Sequence, residues 1–229
     1  MTPRRALVFV ALFFFPVLHC LAADLMDEYL SVPGSYVFVR RSPEGAQPNR
    51  LVMTVFEDFM CPACYRASTD VFPPLKSKYG NQLEIRFLGF PFIHQESRLA
   101  ARAHVIAQGL GFGEEMQKAL FQAHFEQQLD IASKEGLAKV ADSIGLAPEV
   151  LLNQLDGNGG NDELAQILTQ ANSYQIDGTP TIIFDGWIKV NDINRENLET
   201  IIDGLLAKKK PASNPKAAHS TTKGRKATP

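Results

Sequence analysis

The sequence has few cysteines, little net charge and no apolar run long enough to span a membrane. Its 229 residues include three Cys, 16 Gly and 14 Pro, with a formal net charge of −2. Three Cys in a chain of this length exclude a small disulfide-stapled domain. So few Gly and Pro exclude a collagen-like chain, and an apolar content of 45% is too high for a disordered one. A globular protein of one or two domains remains.

The longest apolar run lies at the N-terminus and is typical of an export signal. Two arginines precede the run from Ala6 to Leu18, whose 13 residues are too few for a membrane span of about 20. Small residues at Cys20 and Ala22 predict cleavage after Ala22. We therefore expect a signal peptide at 1–22 and a periplasmic or cell-envelope protein. The alternatives are an uncleaved anchor and lipoprotein processing at Cys20, which the preceding His disfavours.

Charge is distributed unevenly along the rest of the chain. All 25 acidic residues lie between Asp24 and Ala207, and this segment has a net charge of −11. Residues 208–229 carry seven basic residues, no acidic residue and no apolar periodicity. We predict a folded domain at 23–207 and a disordered basic tail at 208–229. The tail is either a solubilising extension or a segment that contacts anionic membrane, wall polymer or the acidic domain.

The hydrophobic pattern predicts a mixed α/β protein. Segments of strand type lie at 36–39, 51–56, 83–87 and 181–184. The run at 51–56 is continuously apolar, as expected of a buried central strand.

Helical patterns occupy most of the remaining chain. A helix is predicted to begin at Pro62, to break at Pro73-Pro74 and to resume as far as Tyr79. The region 95–173 is almost wholly helical in pattern. Asn194 is predicted to cap a last helix that ends near Leu206.

Two cysteines follow the predicted central strand. Cys61 and Cys64 are three residues apart at the start of a helix, so they share one helical face. Cys61 meets unpaired backbone N–H groups and the positive end of the helix dipole, which should hold its pKa below the ordinary value of about 8.5. Cys64, one turn further in, should be more buried and less reactive. The spacing permits a reversible disulfide in which Cys61 is the exchanging sulfur.

Two structural roles for this pair are alternatives. A zinc site needs four ligands, but the chain offers no second Cys pair and no paired His spacing, so we expect no metal. A purely structural disulfide would close so short a loop that it would restrain the unfolded chain little.

A second motif, Asp177-Gly178-Thr179-Pro180-Thr181, precedes the last predicted strand. A Pro is tolerated at the first residue of a strand, and a cis peptide bond is one way to use it. Alone, Thr179-Pro180 is weak evidence. Beside a strand–CxxC–helix unit it becomes specific.

Together these features resemble the DsbA-like group, exported thiol–disulfide oxidoreductases with a thioredoxin fold. The resemblance covers about Val37 to Leu206. It rests on Phe56-x-Asp58-Phe59-x-Cys61-Pro62-x-Cys64, the helical block Gln95–Ser173 and Gly178-Thr179-Pro180-Thr181. It implies a thioredoxin-like α/β fold with a helical insertion at about 95–173. It also implies that a cis Thr179–Pro180 bond lies against the Cys pair and that the Thr179 backbone pairs with an extended substrate.

Two positions depart from the family pattern. The best-known member has His in place of Ala63 in the Pro62-Ala63 dipeptide, and Ala offers the thiolate no charge or hydrogen bond, so we expect a weaker oxidant. Many relatives carry an acid where this chain has Val55. Glu57 or Asp58 could take over that redox-tuning role. The alternative for each is a surface acid at the strand end that complements the helix dipole.

The resemblance implies an enzyme that introduces disulfides into unfolded or reduced proteins. It needs no cofactor beyond the Cys61–Cys64 disulfide, and a membrane protein would reoxidise it. Isomerase or reductase activity is the alternative within the fold. Isomerases usually add an N-terminal oligomerisation region, whereas only about 26 residues, Asp24 to Asn49, lie between the predicted signal peptide and the core strand, so we expect a monomer. No nucleic-acid partner is expected. The alternatives from other classes are a copper-handling module and a redox-inactive chaperone.

Overall fold

The structure is a computed structural model that describes residues 27–92 and 95–209. The predicted signal peptide and residues 210–229 of the predicted tail lie outside these residues. The strands are β1 (Tyr36–Phe38), β2 (Leu51–Glu57), β3 (Leu83–Gly89), β4 (Thr181–Phe184) and β5 (Ile188–Val190). The α-helices are α1 (Pro62–Asp70), α2 (Phe72–Tyr79), α3 (Ser97–Gly109), α4 (Gly113–Phe125), α5 (Lys134–Ser143), α6 (Pro148–Asp156), α7 (Asn161–Ser173) and α8 (Arg195–Lys209). A short 3-10 turn, Gly80–Gln82, leads into β3.

The strands form one mixed sheet in the order β1-β5-β4-β2-β3. Strand β2 runs parallel to β3 and antiparallel to β4, and all seven of its residues are buried. Its alternate residues pack on opposite faces. One face, with Leu51, Met53 and Val55, joins a core that includes residues of α1, α2 and α8. Phe56, on the other face, packs with Phe90 and with residues of α3 and α7. The mixed α/β prediction and the buried central strand are therefore confirmed.

The helices α3 to α7 lie between β3 and β4 in the chain and form a second apolar core. This core includes Met116, Leu120, Leu137 and Leu151. It also includes Phe59, Cys61 and Cys64, which come from the end of β2 and the start of α1. The N-terminus of α1 thus lies where the helical insertion meets the sheet.

Two details differ from the predictions. The break between α1 and α2 is at Val71, not at Pro73-Pro74, because those prolines occupy the first turn of α2, where an N–H has no helical partner anyway. Strand β5 was not predicted; it pairs with β1 and β4. It follows the Asp185-Gly186 turn, in which both residues have positive φ, as a tight hairpin requires.

The last helix is capped as predicted but continues further. The Asn194 side chain accepts the N–H of Asn197 at 2.8 Å. Helix α8 extends to Lys209, three residues past the predicted end near Leu206. The reason is an ion pair of 2.7 Å between Lys209 Nζ and Asp185 Oδ2, whose side chains are only 9% and 6% exposed. Lys209 also donates to the carbonyl of Gln47. No helix within the described residues is long and apolar enough to cross a bilayer.

Truncation after Ala207 tests this boundary. Loss of Lys209 leaves the Asp185 carboxylate buried without its cationic partner, so the free energy of unfolding should fall by about 3 kcal/mol in urea denaturation. Truncation after Lys209 is the matched control and should retain the stability of the full chain. Equal stability of the two truncated proteins would contradict the role given to the ion pair.

Candidate active site

A tight turn joins β2 to α1 and places Cys61 at the helix N-terminus. The Asp58 carboxylate accepts the N–H of Met60 at 2.9 Å, and the Asp58 carbonyl accepts the N–H of Cys61 at 2.9 Å. Cys61 is the extended N-cap residue of α1, and Pro62 is the first helical residue. An Asp side chain readily closes such a turn, and Pro favours the first helical position. The local sequence therefore determines where α1 begins.

Both cysteines are free thiols that lie at different depths. Cys61 is 4% exposed, whereas Cys64, one turn into α1, is fully buried. The prediction that Cys64 is the deeper of the two is therefore confirmed. Pro62 is exposed and Ala63 is half-buried between them.

The loop before β4 brings Thr179 to Cys61 from 118 residues away. The Cys61 Sγ lies 3.4 Å from the main-chain oxygen of Thr179. The Thr179–Pro180 peptide bond is cis. The Thr181 hydroxyl donates to the carbonyl of Gly178 at 2.7 Å and holds this loop at the start of β4. The structure thus brings the two motifs singled out in the sequence together at one place.

The two thiols have opposite pKa shifts. The hydrogen bond from Cys64 is the main reason that the pKa of Cys61 falls to about 5. The Thr179 side chain and the backbone N–H groups of Ala63 and Cys64 lower it further, against the effect of burial. Burial raises the pKa of Cys64 far above its ordinary value, and the Cys61 partner raises it further. At neutral pH the reduced pair therefore consists of a Cys61 thiolate and a Cys64 thiol.

Glu57 is fully buried at the end of β2. Burial raises the pKa of its carboxyl to about 8, although a hydrogen bond from Gln117 acts in the opposite direction. Gln117 Nε2 donates to Glu57 Oε2 at 3.2 Å. The surface-acid alternative is therefore wrong for Glu57, because the helical insertion covers the strand end. It is also wrong for Asp58, which is 1% exposed and shapes the turn.

Two residues near the site were not predicted from the sequence. Gln117 lies on α4 among the buried Met116 and Leu120, and a polar residue in such an apolar helical stripe was the available signal. His104 of α3 is fully buried with its ring 5.2 Å from that of Phe59. Burial lowers the pKa of His104 to about 4, so the ring is neutral at pH 7.

Among residues 27–92 and 95–209, no group of three His, Cys, Asp or Glu side chains is arranged to hold a metal ion.

Comparisons with known proteins agree with this geometry. Residues 52–203 match the family model described as the DSBA-like thioredoxin domain. No curated protein matches the chain significantly.

Solved structures of DsbA proteins match the fold. The DsbA oxidoreductase of Xylella fastidiosa has a TM-score of 0.66 at 19% identity, with 77% of this chain and 97% of that chain covered. A variant of Pseudomonas aeruginosa DsbA has a TM-score of 0.65 at 20% identity, with 76% and 95% covered. A variant of Proteus mirabilis DsbA, in complex with a non-covalently bound peptide, has a TM-score of 0.62 at 20% identity, with 77% and 98% covered. The chain belongs to the family of DSBA-like thioredoxin domains, that of the DsbA thiol–disulfide oxidoreductases.

Proposed function

We propose that this protein is an exported thiol oxidase that introduces disulfides into unfolded or reduced proteins of the periplasm or cell envelope. The observation that carries the proposal is the position of Cys61. Its thiol has a lowered pKa at the N-terminus of α1 and lies 3.4 Å from the main chain of the residue before the cis-proline. A low-pKa sulfur at a helix N-terminus, beside a main chain with which a peptide can pair, suits attack by a substrate thiolate.

The reaction proceeds in two exchange steps. A substrate thiolate attacks Cys61 Sγ of the Cys61–Cys64 disulfide, the S–S bond breaks, and Cys64 leaves with the electron pair and takes up a proton. A second substrate thiolate then attacks the substrate sulfur of the mixed disulfide, and Cys61 leaves as a thiolate. The substrate loses two electrons and two protons. One proton remains on Cys64, and one goes to solvent.

The shifted pKa values favour this direction. A stabilised Cys61 thiolate lowers the free energy of the reduced enzyme. The Cys61–Cys64 disulfide is therefore a stronger oxidant than it would be without this stabilisation. The Pro62-Ala63 dipeptide supplies no charged side chain to the thiolate, so stabilisation comes from Cys64, Thr179 and the helix N-terminus. We expect a weaker oxidant than a family member with His at the position of Ala63.

Substrate binding is assigned to Thr179 and Pro180. The Thr179 main chain would pair with an extended segment of the substrate, next to Cys61. A peptide-bound structure of the similar Proteus mirabilis protein supports a peptide-like substrate. The enzyme would act as a monomer with no cofactor beyond its disulfide, and a membrane redox protein would reoxidise it.

Glu57 is assigned as a redox-tuning acid together with Asp58. Cys64 must gain a proton when it leaves, and its buried position gives it no direct access to water. The carboxyl of Glu57 has a pKa of about 8 and so holds a proton at neutral pH. We assign the supply of that proton to Glu57, a protonated acid buried on the strand that precedes the Cys pair.

Substitution of each cysteine tests the proposed function. Cys61→Ala should lose at least 99% of both dithiol oxidation and insulin reduction, because it lacks the exchanging sulfur. Cys64→Ala keeps that sulfur but cannot release a bound substrate, so mixed disulfides should accumulate on non-reducing gels. Full activity of Cys61→Ala in both assays would refute the mechanism. Stoichiometric Cu(I) binding by a protein without either activity would favour copper handling instead.

Thiolate absorbance gives the pH dependence of the reduced pair. The absorbance of reduced wild-type protein should rise with a midpoint near pH 5 and then stay level to about pH 8, since only Cys61 ionises. In Cys64→Ala the midpoint should move upward, because the largest source of the low Cys61 pKa is removed. A wild-type midpoint at the ordinary thiol value would contradict the stabilised thiolate.

Glu57→Gln should stabilise the protein and slow its reaction. The pKa of Glu57 rises from 4.5 to about 8 on folding, so wild-type stability declines as pH rises from 4.5 to 8. Gln cannot ionise, so the variant does not lose this stability. Its oxidised form should be more stable than oxidised wild type by roughly 3 kcal/mol at pH 7 and by almost nothing at pH 4. Its reduction by a small dithiol should be about tenfold slower. Unchanged rates at every pH would remove Glu57 from the mechanism.

A further inference from the structure

Gln117 is the polar residue that the helical insertion places against the buried acid. It lies one turn into α4 and is 2% exposed. Its amide nitrogen donates to Glu57 Oε2 at 3.2 Å across 60 residues of sequence. A side-chain amide in an apolar helix face is costly unless it is hydrogen-bonded, so this contact needs an explanation.

The hydrogen bond distinguishes the two oxygens of the carboxyl group. Because Gln117 donates to Oε2, that oxygen is an acceptor, and the proton of the neutral acid belongs on Oε1. Oε1 makes no hydrogen bond with any residue in the part of the chain that the structure describes. Gln117 therefore holds the acid with its proton-bearing oxygen uncommitted.

Glu57 lies on the face of β2 that α1 covers. The alternation of the strand places it on the same face as Met53 and Val55, which share a core cluster with Ala67 of α1. Cys64 is on the same helix, one turn before Ala67, and is also fully buried. The acid therefore lies on the strand face that packs against α1, the helix that carries the buried thiol.

A small crevice connects Gln117 with the surface. It has a volume of about 60 Å³, and Gln117 lines it together with Ser68 of α1, Phe72 of α2 and Phe87 of β3. This volume accommodates one or two water molecules. Gln117 therefore lies between the buried acid and a crevice that water can enter.

Few other charged groups surround the acid. Lys76 of α2 and Lys118 of α4 also line the crevice, but both pair with Glu114. His104 of α3 is neutral at pH 7 because burial lowers its pKa. Asp58, Cys61 and Cys64 are the remaining titratable groups beside Glu57 on the loop and α1.

We propose that Gln117 is a positioning residue that holds Glu57 for proton exchange with Cys64, so that the helical insertion sets the pH range of disulfide exchange. This inference rests on the proposed function. It assigns to the insertion a part in the chemistry of the thioredoxin core, in addition to its packing.

Gln117→Met tests the proposal, since Met keeps the length of the side chain but donates no hydrogen bond. The pKa of Glu57 would be measured by carboxyl ¹³C NMR of the oxidised protein, with Glu57→Gln identifying the signal. The pH profile of reduction by a small dithiol would be recorded on the same samples. Both midpoints should move upward together by about one pH unit. Gln122→Met, on the exposed side of the same helix, is the control and should move neither. If Gln117→Met does not fold, Gln117→Leu is used in its place.

Three results would decide against it. An unshifted Glu57 pKa in Gln117→Met overturns the role of the hydrogen bond. A shifted pKa with an unshifted pH profile shows that the contact is only structural and overturns the role in proton exchange. If dithiols do not reduce the wild-type protein, the proposed function itself is refuted. The NMR titration needs no enzymatic activity, so it tests the Gln117–Glu57 hydrogen bond even in that case.

Discussion

The stabilisation of a thiolate at the start of α1 is the interaction on which the proposed chemistry depends. Cys61 ionises easily because Cys64, Thr179 and the first N–H groups of the helix all lie close to its sulfur. Each of these needs a different part of the fold. The buried strand β2 fixes where the helix begins, the Asp58 turn sets its first residue, and β4 brings Thr179 from the far end of the chain.

The helical insertion takes part in this arrangement. Its apolar core encloses Phe59 and both cysteines, which removes Cys64 from water and raises the pKa of its thiol. The same covering buries Glu57 and provides its hydrogen-bond partner on α4. A burial that costs stability at neutral pH thus keeps a protonated acid near the redox pair. The burial of Glu57 therefore favours the exchange chemistry but lowers the stability of the fold at neutral pH.

The sequence predicts those features that depend on neighbouring residues. The order and spacing of Cys61, Pro62 and Cys64 predict the helix start and the deeper second thiol, and both are observed. The burial of Glu57 depends on α4, which lies about 60 residues away, so no local pattern shows it. The end of α8 was missed for the same reason, because Lys209 is held by Asp185 across the fold. Strand β5 exists through its pairing with β1 and β4 rather than through any pattern of its own.

The equilibrium redox potential of the Cys61–Cys64 pair, measured against glutathione, tests the central claim most directly. A stabilised Cys61 thiolate without a neighbouring His predicts an oxidising pair that is weaker than the strongest oxidants of the family. The value should therefore lie below about −120 mV and well above about −270 mV at pH 7. A potential at or below about −270 mV, the range of cytosolic reductants, would contradict the account.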